Sequence, residues 1–287
     1  MARPPLSVRS NADEQAGINA LHEGVPGWMR QSAADWLRPL VFDMSTYKAR
    51  TADVLAAERY LKVELDRPSQ NSLIREEQAA ENLIGLLAEP DTGLDLLDYF
   101  LGVVGSPEHS LALALRVILE ESGSAWTVGS DGEGRACLEK RLDATVAAAA
   151  RATMEGGSRE SDYLRIAWNS AFGRNPNPSE AYRNAVRAVE AIARPVISPD
   201  DSLATIGKMA AALKAKPEKW TTTLGDVGLV ESMLRALSAG QHDRHGTDDE
   251  TTPLTVSQAE AEAAVHLAVT LVQWFRSGVI RRADPDG

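Results

Sequence analysis

A single cysteine, Cys137, in 287 residues excludes an intramolecular disulfide and a thiolate zinc cluster, and it accords with a reducing compartment. Basic charge is also in deficit. Thirty Lys and Arg stand against 41 Asp and Glu, a formal net charge of −11. That balance excludes broad, charge-driven binding to DNA or RNA, but it leaves room for one local basic pocket on an acidic body. No run approaches the ~20 apolar residues that span a bilayer, and "MARPPLSVRSNADEQ" lacks the apolar centre of a signal peptide. The expectation is a soluble, cytoplasmic protein with no membrane partner. At 44%, hydrophobic residues suffice for a buried core, and the length allows one large domain or two ordinary ones.

Helical periodicity fills most of the chain. "GWMRQSAADWLRPLVF" places Trp28, Met29, Trp36, Leu37 and Leu40 near one face, with Pro39 as its end or kink. "TADVLAAERYLKVEL" runs to Arg67-Pro68, and "NSLIREEQAAENLIGLLAEP" stops before Pro90. "DLLDYFLGVVG" and "PEHSLALALRVILEES" are apolar on several faces, as buried helices are. "WTVGSDGEGRACLEKR" breaks the pattern: short strand-like pieces flank a glycine-rich turn, which predicts one small β-hairpin. The glycines do not make a phosphate loop, because no Lys-Ser/Thr follows.

After the alanine-rich "LDATVAAAARATM", the stretch "EGGSRES" reads as a linker. It divides the chain into a helical region, 1–155, and a helical bundle, 156–287. In the second part "DYLRIAWNSAFG" and "SEAYRNAVRAVEAIARPV" are helices. Ser198, Pro199 and Asp201 predict an N-cap for "SPDDSLATIGKMAAALK". "DVGLVESMLRALSAG" leads into a polar segment. "SQAEAEAAVHLAVTLVQWF" then opens with a Ser257–Glu260 capping box. Its wide apolar face (Ala261, Ala264, Val265, Ala268, Leu271, Val272 and Phe275) exceeds what one outer helix needs, so dimerisation through this half is expected. His266 reads as a partly buried packing residue, Glu190 and Arg187 as an external pair, and "RRADPDG" as a frayed tail.

The polar segment "SAGQHDRHGTDD", at 238–249, carries the candidate chemistry. Arg235 precedes His242 by seven positions. A histidine can move the 2′-hydroxyl or leaving-group proton of RNA, because its ordinary pKa is about 6.5. An arginine can neutralise a pentacoordinate phosphate through paired hydrogen bonds. Two other readings stand beside this one. The segment can be a solvated interhelical loop with Arg235 capping a helix end, or His242, Asp243, His245 and Asp248 or Asp249 can form a metal site. The metal reading lacks ligands from the rest of the chain.

The order of capped helices from about residue 160, with "LRALSAGQHDRHG" before "AEAAVHLAVTLVQWF", resembles the C-terminal domain of abortive-infection proteins. That domain belongs to the HEPN class of helical bundles. The resemblance covers roughly residues 160–278 and none of the first 155. It implies an all-α fold, a homodimer, and metal-independent RNA cleavage by an Arg-x4–6-His motif at the dimer interface, with no cofactor. Arg235 and His242 enclose "ALSAGQ", the longest form of that motif. Arg235 would be the phosphate-charge stabiliser and His242 the proton-transfer residue. Gln241, Arg244 and His245 would be supporting or RNA-contacting groups, and His245-Gly246 resembles the family's "HG" loop ending. Ala236 departs from the Asn, Asp or His usual after the arginine. The implied function is a bacterial antiphage-defence or toxin-type protein that cleaves or binds RNA. The alternative is a non-catalytic module that assembles with a partner protein, and Ala236 and the acidic charge favour it.

Overall fold

The computed structural model of the chain describes residues 21–68, 70–242 and 256–283. The fold is all-α, with only two-stranded sheets beside the helices among these residues. The chain forms two compact units, which meet in sequence at Arg141 and Leu142. This is earlier than the 155/156 division expected from "EGGSRES". The cause is packing: helix Ala144–Met154 gives Ala150 and Met154 to the second core.

The first unit contains α1 (Gly27–Val41), α2 (Thr51–Leu61), α3 (Ser72–Gly85), α4 (Pro90–Val104) and α5 (Ser110–Glu121). Pro39 lies inside α1 and does not end it. Leucines, Met29 and Phe100 fill the core at or near zero exposure. The Trp36 indole N–H donates to the Leu111 carbonyl at 2.7 Å and joins α1 to α5. Strands β1 (Phe42–Asp43) and β2 (Lys48–Ala49) form a short pair that the sequence reading did not anticipate. The Asp43 carboxylate shapes the turn by accepting from the Ser45 amide at 2.9 Å.

The expected hairpin is present as β3 (Trp126–Ser130) and β4 (Ala136–Lys140), with Val128 opposite Leu138 and Gly129 opposite Cys137. Helix α4 covers the outer edge of β4. The Asp98 carboxylate accepts from the Leu138 amide at 2.6 Å, and the Gly105 carbonyl from the Ala136 amide at 2.8 Å. That satisfies an edge otherwise open to pairing.

The second unit contains α6 (Ala144–Met154), α7 (Arg159–Phe172), α8 (Pro178–Ile197), α9 (Ile206–Ala215), α10 (Val227–His242) and α11 (Gln258–Arg276). Helix α8 is central and packs on α7, α9 and α11. Asn177 caps it, its side chain accepting from the Glu180 amide at 3.1 Å, and Pro178 sits at the first position. The predicted Ser257–Glu260 capping box begins α11. Ser198 is not an N-cap: it is the C-cap of α8, and the next helix starts at Ile206 after Thr205. Glu190 and Arg194 explain the delay. Glu190 accepts from the Ile206 amide at 3.0 Å, and Arg194 donates to the Ala204 carbonyl at 3.1 Å, so α8 itself positions the start of α9.

A third strand pair, β5 (Trp220–Thr222) with β6 (Ile280–Arg282), joins segments distant in sequence. Arg281 and Arg282, expected in a frayed tail, are therefore strand residues.

Gly129 gives a direct test of the hairpin packing. A Cβ there would stand 2.2 Å from the Glu139 carboxyl carbon, and Glu139 is buried. Gly129→Ala is expected to destabilise the protein by about 1–3 kcal/mol in urea unfolding, and by clearly less in a Glu139→Ala background. Equal cost in both backgrounds would show that the glycine is not needed for this contact.

Candidate functional site

Helix α10 carries the candidate residues. Asp226 receives the Gly228 amide at 2.7 Å and satisfies one of the free donors at its start. Val227, Val230, Leu234 and Leu237 form the buried stripe at helical spacing. Tyr182 on α8 fixes the helix further along, its hydroxyl donating to the Leu237 carbonyl at 2.9 Å. The opposite face is solvent-exposed and carries Leu229, Ser232, Arg235, Ala236 and Ala239.

Arg235 is about half exposed and forms a hydrogen-bonded ion pair with Glu231, one turn earlier. This Glu-before-Arg order at i, i+4 is the favourable one, worth about 0.3–0.5 kcal/mol on an exposed helix. The pair neutralises the guanidinium and holds it against the helix. Gln241 and His242 are the last two residues of α10. His242 thus belongs to the helix rather than to the turn after it. Arg235 and His242 are separated by about 10 Å of helical rise, at ~1.5 Å per residue. Arg244 and His245 lie outside the described residues, as do Asp243, Asp248 and Asp249 of the metal reading. Among the described residues, no group of three His, Cys, Asp or Glu side chains is placed to hold a metal.

The face of α11 offered for dimerisation is already occupied. Ala261, Ala264, Val265, Ala268, Leu271, Val272 and Phe275 are all buried within this chain's second core. The apolar width that looked surplus serves a central position in the bundle, so it does not argue for a second copy. His266, on the same helix, lies 5.2 Å from the Phe172 ring and edge-on to Trp168 at 6.0 Å. Burial pushes its pKa down, partly opposed by Glu262. It is a packing residue. Glu190 is likewise structural, as the cap of α9. Arg187 lies 5.9 Å from the Tyr163 ring centre.

The first unit has a shallow cleft of about 320 Å³, lined by Arg38, Phe42, Tyr47, Ile74, Glu77 and Glu81 among others. Arg38 donates to Glu81 at 2.6 Å and so is spent on an internal pair. Cys137 is held protonated, its thiol pushed well up by burial with Asp98 and Glu139 nearby, which rules it out as a nucleophile. No helix among the described residues is long and apolar enough to cross a membrane.

Sequence reading missed a basic surface around β5 and β6. "KAKPEKW" and "VIRR" were its signals, but only the strand pairing joins them. Compared with protein-family profiles, curated proteins and solved structures, the chain matches none.

The His266 environment has a pH consequence. The folded state disfavours the imidazolium, so between the lowered folded pKa and about 6.5 the unfolded chain binds more protons. Stability from the neutral ring is therefore full above about pH 6.5 and falls as pH drops toward the folded value. Urea midpoints of the wild type should fall more steeply from pH 7 to 5 than those of His266→Gln. Parallel curves would remove His266 as a source of acid sensitivity.

Proposed function

We propose that the second unit is a HEPN-like RNA-directed module of a cytoplasmic, bacterial antiphage-defence or toxin-type protein. One observation carries this reading: an exposed arginine and a histidine lie on one continuous helix in an Arg-x6-His frame, two turns apart. In this reading the His242 imidazole takes the 2′-hydroxyl proton while Arg235 compensates charge on the attacked phosphate. The second histidine of a homodimer returns a proton to the leaving oxygen. Dimerisation then uses the outward face of α10, where Leu229 is an exposed apolar side chain and Ser232, Ala236 and Ala239 are exposed and small enough for close approach. Glu231 must release Arg235 when a phosphate arrives, which makes it a brake on RNA engagement.

The same pair supports a second reading. Arg235 is already neutralised by Glu231, and Ala236 brings no polar group beside it. Both features suit a non-catalytic module that assembles with a partner protein through α10.

The readings separate in one set of measurements. Under the first, the wild type cleaves total or transfer RNA in EDTA, and His242→Ala and Arg235→Ala each lower the rate at least a hundredfold. Ala236→Glu converts a dimer to a monomer by light scattering and loses activity with it. Wild type and His242→Ala equally inert across RNA types, with a stoichiometric protein partner recovered, would transfer the assignment to assembly.

A further inference from the structure

We propose that the β5–β6 ribbon and the turn before it form a docking surface for the phosphate backbone of a single-stranded nucleic acid. Three segments meet there. Lys214 lies in the last turn of α9, Lys216 precedes the short 3-10 turn Pro217–Lys219, Lys219 ends that turn, and Arg281 and Arg282 lie on β6. Register places Arg281 opposite Thr221 and Arg282 opposite Trp220. The Ala283 amide donates to the Lys219 carbonyl at 2.9 Å, which brings the lysine turn alongside the two arginines.

All five cationic residues are exposed, and none has an ion-pair partner among the described residues. The contrast within this unit is sharp. Arg165 pairs with Asp162, Arg183 with Glu180, Arg194 with Glu190, Arg235 with Glu231, and Arg276 with Glu160. In a chain of net charge −11, acids are plentiful, yet Glu218 is the one acid of this turn, and Asp284 and Asp286, which follow β6 in sequence, lie outside the described residues. Exposed cations from three segments, without an ion pair among the described residues, raise the local potential despite the acidic body and attract a polyanion.

The aromatic side chain gives the second observation. Trp220 is half-buried, its indole N–H is buried with no hydrogen-bond partner, and the Arg282 guanidinium lies 5.6 Å from the ring centre. Arg282 also donates through Nε to the Val196 carbonyl at 3.3 Å. One cation is thereby held in a fixed orientation while the lysines remain free to follow a flexible chain. Exposed Thr221 and Thr223 add hydroxyls suited to phosphate and sugar oxygens. A bilayer fits less well, because only Leu224 adds an exposed apolar side chain on this turn among the described residues. The surface uses residues other than Arg235 and His242, and it stands whether or not those residues cleave RNA.

The test is fluorescence anisotropy of the full chain with labelled oligouridine and oligothymidine, between 50 and 200 mM salt. The wild type should bind both with Kd below about 100 μM at low salt, with affinity falling steeply as salt rises. Lys216→Glu, Lys219→Glu and Arg281→Glu together, with circular dichroism unchanged, should weaken binding at least tenfold and flatten the log–log salt slope by about 2. Oligothymidine has no 2′-hydroxyl and cannot be cleaved by the chemistry proposed for α10, so its binding separates this surface from the cleavage reading. No oligonucleotide binding by the wild type, equal binding by the charge-reversed variant, or binding only to phosphatidylserine vesicles would overturn the proposal.

Discussion

Alanine at the helix interfaces is the constraint on which the second unit is built. Ala181, Ala185, Ala188 and Ala193 are buried on α8, Ala167 and Ala171 on α7, and Ala261, Ala264 and Ala268 on α11. Each methyl removes little area from water. Short side chains instead let the backbones approach closely, and stability then comes from many dispersion contacts at high density. Such an interface tolerates little change in volume, because a larger side chain has no cavity to enter. The first unit works differently. Its core is filled by Leu, Met and Phe side chains projecting from helices around a small hairpin, so the size of the side chains, more than backbone proximity, excludes water there.

Close packing of α8 on both flanks decides where the candidate residues lie. With α7 and α11 occupying its sides, α9 and α10 are left to the periphery, tied back by Glu190, Arg194 and Tyr182. An outer helix needs only one apolar stripe, and α10 has one. Its remaining surface thus stays exposed and carries Arg235 and Ala236. Arg276 closes the unit at the other end of α11, donating to the Thr153 carbonyl at 2.8 Å and Ser161 Oγ at 3.0 Å. That contact brings α6 into the second unit, and it is why the glycine-rich stretch after α6 is a turn inside a unit and not the boundary.

Most helices were legible because their period is local. The Ser257–Glu260 box and the Met29, Trp36 and Leu37 stripe of α1 depend on residues a few positions apart, and tertiary packing reinforces them. Trp28, read onto that stripe, is instead exposed, and α8 is capped by Asn177, ahead of the Ser179 start read from the sequence. The failures share the opposite property. Ser198-Pro199-Asp201 is a plausible cap by local chemistry, but Glu190, from the preceding helix, supplies the acceptor that fixes the true start at Ile206. Strand β6 has no local partner at all: "VIRR" becomes a strand only because Trp220–Thr222 arrives beside it. The apolar face of α11 was legible as a face, but its partner was not. Periodicity reveals that a stripe must be covered and is silent on whether the cover is α7 and α8 or a second chain. The candidate site was legible as a spacing, Arg235 to His242, while the Glu231 contact and the helical state of His242 required the fold.

The two cationic features of this unit differ in how their charge is held, and that difference bears on their roles. Arg235 rests in an i, i+4 pair whose partner is covalently near and always present, so a phosphate must compete with Glu231 at high effective concentration. The exchange favours a phosphate only when other contacts hold the RNA in place. The ribbon cations have no such competitor among the described residues, and their charges add over a small area, which suits loose capture that depends on salt. A surface of the second kind can bring a nucleic-acid chain to the unit, whereas one of the first kind can act only on a chain already held. In the proposed reading, capture at the ribbon and selectivity at α10 are complementary, and among the described residues the difference follows from where acidic side chains stand beside the cations.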